Sequence, residues 1–228
     1  MATPLKQLLF TEAQYLEFER KADERHEYLD GHLFAMAGEG WRHGDISTNL
    51  LALIALQLKG TPCRARSKDT RIRSGPRKFS AQGFKGLYSY PDIVVICGEP
   101  EYLDKHEDVV TNPKVIIEVL SDSTMNFDRT EKFIRYRMWN DTLTDYILVS
   151  QEKRLIEHFR RGKSGEWVYT TWLEADQSVT IKSIKCTLSV AEIYDRVTFD
   201  SDPPKAAKKR KSAQKARKKA QTKKGSKQ

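Results

Sequence analysis

The sequence predicts one domain of α/β or α+β class, with a mixed β-sheet flanked by helices. Three observations predict it. A chain of 228 residues is long enough for one buried core and short for two. Two short β-branched runs, YPDIVVIC and PKVIIEVLS, are bounded by turn residues and read as central strands buried on both faces. The remaining segments follow in the order helix, hairpin, helix, strands, helix, strands, which suggests a single mixed sheet.

Thr11, with Gln14 three residues on, has the form of a capping box and predicts a helix over residues 12–23. Asp30-Gly31 between HEYL and HLFAM is a hairpin signal, because both residues tolerate positive φ. Residues 43–58 are rich in Leu and Ala, with no Gly or Pro after Gly44, and predict a largely buried second helix. CRARSKDTRIR reads as a strand with polar positions, and residues 74–89 as a loop. After the two apolar strands a helix is expected over 128–139. DYILVS, LIEHF, WVYTTW and VTI then form a strand and a meander, and SVAEIYDR a last short helix.

The net charge of +9 is not spread over the chain. Residues 205–228 hold 12 Lys or Arg and no acid, so residues 1–204 carry −3. Pro203-Pro204 ends the fold, which predicts a domain over 1–202 and a Lys/Ala-rich tail over 203–228. From Lys205 on, the tail has no apolar residue larger than Ala and is expected to be disordered alone. Lys208, Lys209, Arg210, Lys211, Lys215, Arg217, Lys218 and Lys219 are its candidate nucleic-acid contacts, since such a run binds polyanions without sequence preference. A solubilising appendage is the simpler alternative.

The longest apolar stretch, near residues 50–58, is far short of the ~20 residues that cross a bilayer, so no membrane partner is expected. The N-terminal apolar run is cut short by Glu12, and no signal peptide is read. Cys63, Cys97 and Cys186 are odd in number and scattered. They suggest neither a disulfide framework nor a zinc knuckle, and a reducing cytoplasm is expected. No Walker loop, GxGxxG or GxSxG is present, and His26 and His32 lack the spacing of zinc proteases.

Asp92 and Glu118 each interrupt an apolar strand run. A carboxylate in a buried strand is costly unless it is paired, neutralised or bound to a cation. Each acid alone could end a strand against water or an arginine. Two of them on converging strands, with Pro91 fixing the approach to Asp92, make a site for a hard divalent cation. Magnesium suits such a site, because it needs only one or two carboxylates beside water and phosphate oxygens.

Pro91-Asp92, a strand, then Glu118 within VIIEVLS resembles the PD-(D/E)XK nuclease superfamily. HEYLDGHLFAMAG, His43, YPDIVVIC, IIEVLSDST, Asp128, Lys132 and Tyr136 together resemble the Uma-type family of bacterial restriction endonucleases, over about residues 11–195. The resemblance implies a restriction-endonuclease-like fold and a hydrolase that cleaves phosphodiester bonds with Mg2+ or Mn2+. Asp92, Glu118 and the Val119 carbonyl would be metal ligands, and Asp92, Glu118 and Lys132 the catalytic set. DNA is the expected substrate, and RNA and a second copy of the chain are the other admissible partners. The superfamily usually has a lysine two residues after the Glu, where this chain has Leu120. Lys132 is the substitute, since Asp128, Lys132 and Tyr136 recur every four residues and share a helix face. The competing reading of Asp128 and Lys132 is a surface ion pair worth ~0.3–0.5 kcal/mol. Glu27 is a candidate support for the metal site or else a solvated hairpin charge. His43 is a candidate phosphate or water contact, or a helix-start histidine bonded to a neighbour. The rival to an enzyme is an inactive nuclease fold, marked by Leu120 and tethered to nucleic acid by its tail.

Overall fold

The computed structural model describes residues 9–36, 38–76, 86–122 and 124–200. The tail, with its basic residues and the expected boundary at 202, lies outside the described residues.

Helix α1 spans Glu12–Glu19 behind the expected capping box: the Gln14 amide donates to Thr11 Oγ1 at 3.2 Å, and the Thr11 amide to Gln14 Oε1 at 2.9 Å. It ends four residues earlier than Asp23, at a point where the Arg20 guanidinium reaches Asp104 and Asp108, each at 2.8 Å. The hairpin follows as β1 (His26–Leu29) and β2 (His32–Ala35). Asp30 and Gly31 have φ of 46° and 97°, the paired positive values that a tight two-residue turn requires. Helix α2 (Trp41–Gln57) buries Ile46, Leu50 and Ile54, one residue per turn on one face.

The segment read as one strand is two. β3 (Cys63–Ser67) and β4 (Arg71–Ser74) are separated by a turn in which the Thr70 amide donates to the Ser67 carbonyl. The polar Lys68-Asp69 pair lets the chain leave one sheet and enter another. β5 (Leu87–Ser89), β6 (Ile93–Cys97), β7 (Val109–Val110) and β8 (Val115–Leu120) come next. The helical segment begins earlier than residue 128. A short turn α3 (Met125–Phe127) runs into a π-helical stretch (Asp128–Lys132) and then α4 (Phe133–Trp139). β9 (Asp145–Ser150), β10 (Ile156–Arg161), β11 (Trp167–Trp172), β12 (Ser178–Ile181), β13 (Cys186–Ser189) and α5 (Val190–Ile193) complete the body, which runs through Val197.

The α/β class with helix-flanked mixed sheets holds, but the strands divide between two mixed sheets where the sequence suggested one. One has the order β2-β1-β5-β4-β7, the other β11-β10-β9-β8-β6-β3, and β12-β13 form a small ribbon. The reason is the break at residues 68–70. β3 pairs with β6, whereas β4 pairs with β5 and runs parallel to β7. β8 is central in its sheet, antiparallel to β6 and parallel to β9, and all six of its residues are buried. That two-sided burial explains its uninterrupted β-branched composition.

The expectation of unpaired cysteines is corrected. Cys63 and Cys97 face each other in the β3–β6 register and are joined in a disulfide, and Cys186 is free and buried. The partners are 34 residues apart in sequence. Only strand register brings them together, which cysteine spacing does not encode. The cysteine argument for a reducing compartment therefore loses its premise. Among the described residues no helix is long and apolar enough to cross a membrane.

Candidate active site

The seam between the two sheets gathers polar side chains from four directions. β8 carries Glu118 on the same face as Ile116 and Leu120, because side chains alternate along a strand. Leu120 is buried in the core with Phe133, Tyr146 and Leu148. Glu118 is only 4% exposed. Its Oε1 accepts from Lys132 Nζ at 3.3 Å and from the Tyr136 hydroxyl at 3.2 Å. Tyr136 is held in turn by Ser89 Oγ at 2.8 Å.

Lys132 is the hub. Its ammonium lies 2.9 Å from Glu27 Oε1 on β1, 3.1 Å from Asp128 Oδ1 and 3.3 Å from Glu118 Oε1. At 5% and 2% exposure, Lys132 and Asp128 are no surface pair. The π-helical stretch that carries both is a wider turn than an α-helix, and such turns recur at functional sites. Asp128 Oδ1 is buried and makes no hydrogen bond of good geometry, and the Lys132 ammonium lies 3.1 Å from it. Arg135, which shares part of the same helix face, points away to Asp30 at 2.6 Å.

Asp92 precedes β6 and lies beside Glu118 across the β6–β8 pair, since Ile93 pairs with Ile117. Both its oxygens are engaged. Oδ2 accepts from the Val119 amide at 2.7 Å, and Oδ1 contacts His43 Nε2 at 2.7 Å. His43 is thus bonded to a neighbour, as helix-start histidines usually are, and that neighbour belongs to the acid cluster.

The electrostatics follow from burial and from a surplus of acids. Burial pushes the Glu118 carboxyl well above its usual range; Lys132 opposes this, while Asp128, Asp92 and Glu27 add to it. Burial favours a neutral Lys132, but Glu118, Glu27 and Asp128 outweigh it and hold the ammonium protonated, with its pKa well above normal. Burial likewise disfavours a charged His43, and the bond to Asp92 more than offsets it, so its pKa is raised. Four carboxylates, Glu27, Asp92, Glu118 and Asp128, face one lysine and one histidine. A hard divalent cation fits that imbalance. Among the described residues no three His, Cys, Asp or Glu side chains form a closed ligand cluster, so such a cation would rely on one or two carboxylates, backbone and water.

All the candidate residues of the folded part, Glu27, His43, Asp92, Glu118, Val119, Asp128, Lys132 and Tyr136, therefore converge on one seam. Sequence reasoning missed Ser89 and the Tyr90 amide, which approaches Glu27 Oε1 at 3.4 Å. Both lie directly before Pro91-Asp92, and that adjacency was the available signal. It also missed Tyr146, whose hydroxyl donates to the Asp128 carbonyl at 2.9 Å and holds the π-helical turn. Only the β9 register places it there.

Residues 12–191 match the family Uma2, described as "Putative restriction endonuclease". The chain is 32% identical over 186 residues to the uncharacterized protein slr1290 of Synechocystis sp., covering 82% of this chain and 92% of that protein. It is 29% identical over 177 residues to the uncharacterized protein sll1609 of the same organism, covering 78% and 95%. Its fold is similar to a crystal structure described as that of "a putative nuclease belonging to DUF820" from Anabaena variabilis. The TM-score is 0.65 at 16% identity, over 83% of this chain and 99% of that one.

Proposed function

The chain belongs to the Uma2 family, and from that premise we propose that it is a divalent-metal-dependent endonuclease hydrolysing phosphodiester bonds of DNA. The observation that carries the reading is the buried Lys132 ammonium, held between Glu118, Glu27 and Asp128 beside Asp92. A cluster so costly to bury serves chemistry more readily than stability.

Mg2+ or Mn2+ would be held by Asp92, Glu118 and the Val119 carbonyl, and would supply polarisation of the phosphate and an acidified water. The chain's own groups do the rest. Glu118, Glu27 and Asp128 raise the Lys132 pKa, which favours a role as an ammonium over one as a general base. The ammonium orients the attacking water and counters the negative charge that develops on phosphate. Glu27 and Asp128, at 2.9 and 3.1 Å, fix that ammonium. Tyr136 and His43 hold Glu118 and Asp92 in place as positioning residues. Lys132 on the helix would stand in for the lysine that Leu120 replaces, which supports an active site over an inactive fold.

Plasmid nicking by the full chain tests the reading. Cleavage should require Mg2+ or Mn2+, stop with chelator, and disappear in Asp92→Asn and Glu118→Gln, which keep side-chain volume. Cleavage that persists without metal, or none with either metal, would overturn it.

A further inference from the structure

Beside the acid cluster, α2 presents a feature that the proposed hydrolysis does not use. Trp41, the first residue of α2, is 90% exposed. Tryptophan is usually well buried, so an indole left almost wholly in water asks for a partner. It stands two residues before His43, which touches Asp92. Asp45, four residues on, lies on the same helix face. Both line a cleft of about 640 Å³, together with Glu39, Thr48 and Asn49.

The charges around this cleft differ in how firmly they are held. Glu39 is bound by Lys68 at 2.7 Å, and Arg196 lies 3.6 Å from Asp195. Asp45 makes no hydrogen bond or ion pair among the described residues. The cleft therefore offers a flat aromatic surface and one open acceptor, with the exposed Arg196 guanidinium at its rim within reach of a nucleotide's phosphate. A planar ligand that carries an N–H donor matches it.

We propose that the Trp41–Asp45 cleft receives one unpaired nucleobase of the substrate, stacked on the indole and donating an exocyclic amino hydrogen to Asp45. This rests on the nuclease reading and narrows its substrate to strands with an unpaired nucleotide. A base inside a duplex has both faces covered and reaches a side chain only when extruded, whereas a free base stacks on an aromatic ring irrespective of sequence. The carboxylate adds a preference for cytosine, whose amino group donates, over thymine, whose O4 would face it.

The test is binding by the full chain, in chelator so that nothing is cut, to short oligo-dC, oligo-dT and a blunt duplex of equal length. Trp41→Ala should weaken oligo-dC binding by roughly 5- to 150-fold, the range for removal of one stacked base, and leave duplex binding nearly unchanged. Trp41→Phe should recover part of the affinity. Asp45→Ala should erase a preference for oligo-dC over oligo-dT. Circular dichroism confirms the fold of each variant. Unchanged oligo-dC binding by Trp41→Ala, or an equal weakening on duplex, overturns the stacking site, and an intact dC preference in Asp45→Ala overturns the amino contact. Metal-dependent nicking by wild type together with unchanged oligo-dC binding by Trp41→Ala sinks this inference alone. Absence of both binding and nicking sinks the nuclease reading with it.

Discussion

Lys132 Nζ reaches Glu118 Oε1 at 3.3 Å from a helix, while Leu120, two residues after Glu118 on its own strand, is buried in the core. The cation of the site is thus delivered from a separate element, through a side chain long enough to span from a packed helix to a strand. Lys132→Ala should abolish turnover while metal affinity stays near wild type, and Glu118→Ala should lose both. Lys132→Arg should rescue poorly, because a planar fork does not replace a point charge. The Ala variant should also be less stable by about 3–5 kcal/mol without metal, since it leaves buried acids uncompensated. Turnover, calorimetric metal titration and denaturant melts read the three effects, and near-normal cleavage by Lys132→Ala would remove it from the catalytic set.

Asp145 predicts acid sensitivity away from the site. It is 0% exposed and accepts from His158 Nε2 at 2.7 Å, from Thr144 Oγ1 at 2.8 Å and from the Ser183 hydroxyl. Burial alone would raise its carboxyl, but these bonds prevail and hold it below the usual carboxylate value of 3.8. A depressed folded pKa contributes stability that is present above 3.8 and disappears as pH falls through the folded value. Asp145→Asn should cost about 1–3 kcal/mol at neutral pH and flatten the decline below pH 3.8. A variant that melts like wild type at both pH values would show the network to be inconsequential.

The Cys63–Cys97 bond closes a stretch of 34 residues between strand partners. Reduction, or the double change Cys63→Ser with Cys97→Ser, should lower stability by about 2–4 kcal/mol. Non-reducing peptide mapping should recover the two cysteines in one linked species. Two freely reactive thiols in native protein at these positions would disprove the link.

The tail carries 12 of the 40 basic residues within its last 24 positions. Its removal at residue 205 should flatten the dependence of log affinity on log salt, by about 0.9 for each phosphate that is no longer neutralised. Any cleavage-site preference should survive, because phosphate contacts carry no base information. A salt slope unaltered by truncation would leave the tail with no role in binding.

Local chemistry was legible in the chain before any fold was known. The Thr11–Gln14 cap, the Asp30-Gly31 turn and the two β-branched strands are written in neighbouring residues and appear where composition and turn chemistry put them, whereas the helix expected from residue 128 begins earlier and carries Lys132 on a π-helical stretch. The pairing of Asp92 with Glu118 was readable for a similar reason, since an acid within an apolar run stands out. Register, and the choice of sheet that each strand joins, were settled only by long-range packing. Those choices separated β3 from β4, set Cys63 opposite Cys97, and placed Glu27 and Ser89 against Lys132 and Tyr136 across the seam. They also turned Asp128 and Lys132 from a pair that could have lain in water into buried charges. The physical reason is that side-chain spacing along one element sets only which face a residue occupies. Burial and long-range charge pairing arise when that face meets another, and no short stretch of sequence contains both partners.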